Sequence, residues 1–386
     1  MLGRRTATAH PDGAAITMAY ATLSSSTLPD GTPAFDTVRI RDELGRDTVT
    51  TKDAHGRVVK IERYLDNNGQ VGGTTNAMLM AYDRLDRITL IKDQPGNTWT
   101  YTFDSLSRRL SANDPDHGLW TFRYDDAGEL IKQTDANGAV SNFQYDRRDR
   151  MVGRQHLNPA GVQTQWHVLT YDQDQGATFS WGDKLTSTSG HWGATTHKND
   201  HNGHKVVDQW TLGAATYTVQ HARDAGGFHI WSWYSDGDQI GSAATQWLYD
   251  EAGRLKSIPG HITGLTYNAR GQVTVAAYAN GVTTDNLYND QRGWLNRVVT
   301  QAGATTLQDI TYSRSPTGRI TAVSAVRAED NWTYAYDDLD RLLTATNLGD
   351  GTLTQTFSYD AAHNMLTNSK VGTYTYGMPR TSCRAC

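Results

Sequence analysis

The sequence predicts an all-β protein of tandem antiparallel hairpins, and three observations lead there. First, one phrase recurs. Trp99-Thr-Tyr101-Thr-Phe103-Asp104 returns 21 residues later as Trp120-Thr-Phe122-Arg-Tyr124-Asp125, and after another 21 as Phe143-Gln-Tyr145-Asp146. Self-similarity at a fixed period marks a repeat architecture. Second, the rings in each phrase take alternate positions with polar residues between them, which is the period of a strand with one apolar face. Third, each phrase ends in an aromatic–Asp pair and a turn, most clearly in Tyr124-Asp125-Asp-Ala-Gly128-Glu-Leu130.

The turn has its own chemistry. Asp-x-x-Gly fits a type I turn whose side chain accepts backbone N–H groups, closed by a residue in the left-handed region. Glycine enters that region at little steric cost. Where glycine is missing the chain mostly offers aspartate, at Asp86, Asp149 and Asp340. Short Asp is among the few other residues tolerated there. A three-residue connection of this kind is a common hairpin link. A second turn falls midway through each unit, as in Asp93-Gln-Pro-Gly96, Asp114-Pro-Asp-His-Gly118 and Asp135-Ala-Asn-Gly138. One repeat is therefore two strands and two turns, and the chain is a continuous antiparallel ribbon.

Residues 1–37 are polar, with turn signals at Pro11-Asp-Gly13 and Pro29-Asp-Gly31, and read as two degenerate hairpins. The array is expected over 38–170. It opens in weak copies at Asp42-Glu-Leu-Gly45-Arg46 and Asp53-Ala-His-Gly56-Arg57, and passes Tyr64-Leu-Asp66-Asn-Asn-Gly69 with one inserted residue. It becomes regular at Tyr82-Asp83, Phe103-Asp104, Tyr124-Asp125 and Tyr145-Asp146. Residues 171–246 diverge and are rich in Trp and His, yet Trp231-Ser-Trp233 keeps the alternation, so the same sheet is expected to continue. Copies resume over 247–377 at Tyr249-Asp250 with Gly253, Tyr267-Asn268 with Gly271, Tyr288-Asn289, Tyr336-Asp337 and Tyr359-Asp360. Residues 378–386 have no pattern and are expected to form an unstructured tail.

Composition supports this reading. A chain of 386 residues has length for two or three domains, but an array buries each unit only against its neighbours. Apolar content of 37%, a mean hydropathy of −0.61 and 36 glycines suit many short strands with one wet face. The formal charge of −5, without a basic cluster, argues against a nucleic-acid partner. No apolar run reaches the length of a membrane span. Met1-Leu-Gly-Arg-Arg is not followed by an apolar segment, so no signal peptide is read in this chain. The two cysteines, Cys383 and Cys386, fall in the patternless tail and are not read as a zinc or redox pair.

Tyr-Asp-x-x-Gly-Arg-Leu in tandem resembles the YD repeat of the Rhs family, which includes bacterial Rhs proteins, insecticidal toxin-complex C components and animal teneurins. The resemblance runs from residue 38 to residue 376. It implies a sheet that spirals into a hollow β-shell, open or partial here, which in bacterial members encloses a C-terminal toxin. The implied role is structural, without chemistry of its own, in a secreted or cell-surface protein. The implied partner is an enclosed toxin or other cargo polypeptide, or the rest of a larger shell. The core segment that closes such shells, with its Asp-Pro-x-Gly phrases and autocleavage aspartates, does not follow Tyr376. Neither self-cleavage nor toxicity is therefore expected of this polypeptide.

The remaining candidates are weighed against that reading. Trp and Tyr rings also stack on sugars, which makes a glycan the alternative partner and a carbohydrate-binding or adhesion module the alternative function. The regular phase of rings with turns favours packing. The turn carboxylates recur once per repeat, so turn chemistry accounts for them without the facing pair that glycoside hydrolysis needs. His197, His201 and His204 would share one face of a helix, but Asn202-Gly203 predicts a hairpin tip and Lys198 stands where a metalloprotease motif has glutamate. Asp172-Gln-Asp174-Gln-Gly176 copies half a calcium loop without the distal glutamate. No catalytic, cofactor-binding or metal residue is assigned and no cofactor is expected. The positions that matter are the rings, aspartates and glycines of the repeats.

Overall fold

Alternating rings and polar residues do form strands. In the computed structural model, which describes residues 4–27, 33–65, 67–173, 176, 179 and 182–376, strand Gly118–Tyr124 is the plainest case. Trp120, Phe122 and Tyr124 are half-buried there, while Leu119, Thr121 and Arg123 between them are exposed. The helical segments among the described residues are single turns of 3-10 helix, at Asn67–Gly69, Ala328–Asp330 and Gly351–Leu353. No helix among the described residues is long and apolar enough to cross a membrane. The turn signal at Pro29–Gly31, Asp66, Asp174, Trp181, and the tail with Cys383 and Cys386 lie outside the described residues.

The chain divides into two compact units. The first takes the described residues of 4–117 and 285–376. In it, strands from Ala7–Ala9 to Arg109–Asp114 each pair antiparallel with the next. A second run from Leu295–Ala302 to Gly372–Thr373 does the same. The second unit takes residues 118–284. Its main run, from Gly118–Tyr124 to Gln239–Ile240, is again a meander of neighbours. Among the described residues no pairing joins the first strand of a long sheet to its last, so the sheets are open.

The turns explain the register. In Asp83–Arg87 the Asp86 N–H donates to the Asp83 carbonyl at 3.2 Å, and the Asp83 N–H donates to the Arg87 carbonyl at 3.0 Å. Asp83 Oδ1 accepts the N–H groups of Leu85 and Arg87 at 2.8 and 3.1 Å. The residue before the loop closes takes positive φ: 62° at Asp86, 59° at Asp149, 68° at Asp340 and 95° at Gly128. Ser107 and His363 occupy the same place at 66° and 69°; serine is not a type that signals it, whereas histidine, like Asn and Asp, is enriched there. This extra residue shifts the pairing by one at each ring, between Ala81 and Tyr82, Arg123 and Tyr124, and Ala335 and Tyr336. It is the bulge that follows a type I turn in a three-residue hairpin loop.

Few side chains are fully enclosed. Val59, Tyr64 and Leu339 are the larger buried apolar ones, against polar Asp47, Thr51, Asp53, Thr186, Asp208, Ser232 and Asn347. Stability in such a ribbon rests on hydrogen-bonded ladders and on contacts between neighbouring repeats more than on a deep apolar core. A Cβ at Gly128 would meet nothing within 4 Å, so Gly128→Val isolates backbone strain. The expected loss is about 1–3 kcal/mol in chemical denaturation; an unchanged midpoint would contradict the turn assignment.

Candidate functional site

The arginine of Asp-x-x-Gly-Arg folds back on its own turn. Nε donates to the second carboxylate oxygen of the turn aspartate at 2.7 Å for Arg57–Asp53, 2.6 Å for Arg87–Asp83, 2.7 Å for Arg254–Asp250 and 2.7 Å for Arg341–Asp337. The other edge of the guanidinium reaches the next repeat. Arg57 donates to the Asp83 carbonyl at 3.2 Å and to Asp86 Oδ1 at 2.8 Å. Arg87 donates to the Asp104 carbonyl at 2.7 Å, and Arg341 to the Asp360 carbonyl at 2.9 Å.

Each guanidinium also lies over the ring of the following repeat. Centroid distances are 5.0 Å for Arg57–Tyr82, 4.8 Å for Arg87–Phe103, 4.6 Å for Arg254–Tyr267 and 5.0 Å for Arg341–Tyr359. These are cation–π distances. Tyrosine answers with its hydroxyl, which donates back to the preceding repeat: Tyr82 to the Val58 carbonyl at 2.7 Å, Tyr336 to Ile320 at 2.8 Å and Tyr359 to Leu342 at 3.0 Å. Tyr145 does so to Leu130 at 3.1 Å and Tyr249 to His229 at 2.7 Å. Ring, aspartate, left-handed residue and arginine thus form a ladder within each unit, each rung stapling one repeat to the next.

The charges are consistent with that network. Hydrogen bonds from the Arg150 side chain hold the Asp146 carboxyl below the usual carboxylate range. The Arg254 N–H does the same for Asp250, with its guanidinium adding to the effect. At Asp83 burial opposes the charge, but bonds from Arg87 outweigh it and the net shift is downward. Burial raises the hydroxyls of Tyr82, Tyr145 and Tyr359.

Some turns depart from the rule, with Gln272 and Asn364 in place of the arginine and still bonded to the turn side chain. Glu129 stands where the neighbouring turns have arginine. Burial, and then the carboxylates of Asp125, Asp149 and Asp146, push its carboxyl upward, and Oε1 is buried without a hydrogen-bond partner. The divergent stretch improvises in other ways. Phe228 takes the arginine position of turn 224–228 and packs on Tyr249 at 4.8 Å between centroids. His204 takes it in turn 200–204 and sits 3.2 Å from Asp200 Oδ2.

The histidine trio does not converge. His197 pairs with Asp208 across two strands, His204 with Asp200, and His201 is exposed at the hairpin tip. Among the described residues no group of three or more His, Cys, Asp or Glu is placed to hold a metal ion. Asp172 of the half calcium loop gives its carboxylate to Arg150 at 2.8 Å, and its N–H closes a long excursion onto the Lys184 carbonyl at 3.1 Å.

Within the first unit a second set of contacts joins turns distant in sequence. Arg46 is clamped by Asp42 and donates to the Asp338 carbonyl at 3.3 Å and to Asp340. Arg292 reaches Asp12 at 2.8 Å, and the Asn76 amide reaches the Ala361 carbonyl at 3.2 Å. The Tyr-Asp turns of 289–364 therefore lie against the opposite row of turns of the N-terminal run. Leu339 is 8% exposed in this seam, whereas Leu85 and Leu106 at the same turn position are 61% and 69% exposed. A polar hollow of about 170 Å³ between Arg46, Arg63, Tyr64 and Leu339 marks the contact.

The rings and aspartates expected to matter are thus brought together pairwise along the ladder. The arginines are functional positions beyond the rings, aspartates and glycines, and their sequence signal is an Arg four residues after the turn Asp in copy after copy. Residues 124–163 match the RHS Repeat family. The fold matches a crystal structure of TcdB2-TccC3 with a TM-score of 0.75 and 17% identity, over 94% of this chain and 22% of that one. It also matches the Photorhabdus luminescens Tc holotoxin pore carrying TccC3-D651A, with a TM-score of 0.73 and 16% identity, over 93% of this chain and 22% of that one. The chain spans under a quarter of the length of either structure. No curated protein sequence matches it.

Glu129→Arg is expected to restore the missing rung and raise the melting temperature. A carboxyl whose folded-state pKa is raised penalises the fold above that value, and the penalty fades as pH falls through it. The gain should therefore be largest near neutrality and shrink on acidification, with Glu129→Gln intermediate. Melting curves across pH decide it; a gain independent of pH would contradict the electrostatic origin.

Proposed function

On the Rhs/YD-repeat resemblance carried by the matched repeat and the shared fold, we propose that this chain is a wall segment of a larger shell. The shell encloses a C-terminal toxin or other cargo polypeptide and keeps proteases and solvent from it. The chain itself performs no chemistry. The observation that supports this most is the ladder: the carboxylates, guanidinia and hydroxyls of the regular repeats are engaged in holding neighbouring repeats together. The matched proteins are Tc toxin components, which favours a secreted or surface-exposed setting as part of a larger exported protein.

A second reading, a carbohydrate-binding surface, is favoured by one feature of the second unit. Trp166 and Trp192 are 38% and 36% exposed. Gln144, Gln155 and Gln163 line a hollow of about 420 Å³ beside Trp166.

Solution scattering on the purified chain, with oligosaccharide titration of the same sample, separates the two readings. The wall reading expects a curved or hollow particle, larger than a solid body of its mass, and no saturable sugar binding. A compact solid particle would overturn it, and binding lost in Trp166→Ala would establish the second reading.

A further inference from the structure

The second unit contains a row of polar side chains that the ladder does not use. It crosses strands Gly193–Asn199, Lys205–Leu212, Ala215–Arg223 and His229–Tyr234. His197 Nδ1 pairs with Asp208 Oδ1, and Lys205 Nζ lies 3.1 Å from the same oxygen. His221 Nε2 is 3.8 Å from Asp208 Oδ2. On its other side His221 Nδ1 is 3.2 Å from Ser232 Oγ, and Ser232 Oγ is 2.9 Å from His229 Nε2. Ser232 is 3% exposed and Asp208 9%. The His229 ring packs on Trp247 at 4.4 Å, and its carbonyl accepts the Tyr249 hydroxyl.

Proton counting restricts this row. A hydroxyl donates one hydrogen bond and accepts others, while a neutral imidazole has one donor and one acceptor nitrogen and a cationic one has two donors. Ser232 can therefore donate to one ring and accept from the other as long as one ring is neutral. If both are charged, both nitrogens facing Oγ are donors and the hydroxyl proton loses its acceptor. The two cations would then stand with ring centroids 5.1 Å apart. Lys205 on the flanking strand and Arg223 on the strand of His221 itself add positive charge, and Asp208 is the carboxylate facing His221.

We propose that His221, Ser232 and His229 form an acid-sensitive joint between strands Ala215–Arg223 and His229–Tyr234, which holds one imidazolium and parts when the second is charged. His221, beside Asp208, takes the first proton and passes the Ser232 hydroxyl proton toward His229. His229 resists the second. Burial, with His221 and Arg223 adding to it, pushes its pKa down to about 4, and burial also lowers His221 against the pull of Asp208. A histidine whose folded-state pKa is depressed contributes stability that is complete above its ordinary value of 6.5 and is lost as pH falls toward about 4. The turn aspartates Asp83, Asp146 and Asp250 start from 3.8 and are depressed further, so their contribution begins to fall only at the acid end of this window and is unchanged in the histidine variants.

The test is amide hydrogen exchange and urea unfolding of the full chain at about pH 6.8 and about pH 4.5, a span that covers most of the histidine window. In the unmodified chain the folding constant should fall roughly tenfold or more over that span, with exchange accelerating in 215–234 once the intrinsic rate is divided out. His221→Gln and His229→Gln should each flatten the fall, because either leaves at most one cation, and the double variant should add nothing further. An unmodified chain that is insensitive over this span would overturn the joint. Variants that keep the full slope, or two single effects that simply add, would overturn it equally. Should one variant fail to fold, the other and the exchange map of the unmodified chain still decide.

Discussion

The guanidinium held between its own turn's carboxylate and the next repeat's ring is the contact on which the rest depends. A hairpin ribbon has hydrogen-bonded strands but little enclosed apolar volume, so something must fix one hairpin against the next along each turn row. An exposed ion pair contributes ~0–1 kcal/mol and an exposed cation–π contact ~0.5–1 kcal/mol. Either alone is weak. Here one side chain makes both and also caps a backbone carbonyl, and the arrangement recurs at Arg57, Arg87, Arg254 and Arg341. In an array of nearest-neighbour contacts such increments accumulate along the chain. The repeat phrase has its letters because the ladder needs a ring, an acceptor, a left-handed corner and a long cation in that order.

Departures from the phrase show how much the ladder tolerates. Phe228 replaces the cation with a ring and keeps the contact to Tyr249. Phe103 loses the hydroxyl but keeps Arg87 over its face. Glu129 keeps neither the charge nor a partner for its buried oxygen. The seam in the first unit reuses the same parts, with Arg46 bound by its own turn's Asp42 and by Asp340 of a distant turn.

Strand phase, turn type and the aspartates at positive φ were legible because each is a local property of a few consecutive residues. The role of the arginines was not, since a cation after a turn reads as an ordinary solvated charge until the next ring is placed beneath it. Ser107 carries no such signal because serine does not favour the left-handed region, and His363 carries a weaker one than Asp or Gly. The seam and the His221–Ser232–His229 row depend on residues brought together across strands, which no spacing rule reports. The histidines that did stand close in sequence, His197, His201 and His204, are separated by the hairpin they build.

A double-mutant cycle on Arg341 and Tyr359 tests the ladder most directly. Arg341→Ala, Tyr359→Leu and the pair would be compared by urea unfolding of the full chain. The ladder predicts a coupling on the order of 1 kcal/mol, because each residue loses its stacking value when the other is gone. Strictly additive losses would mean that the guanidinium and the ring act independently, and would contradict the account.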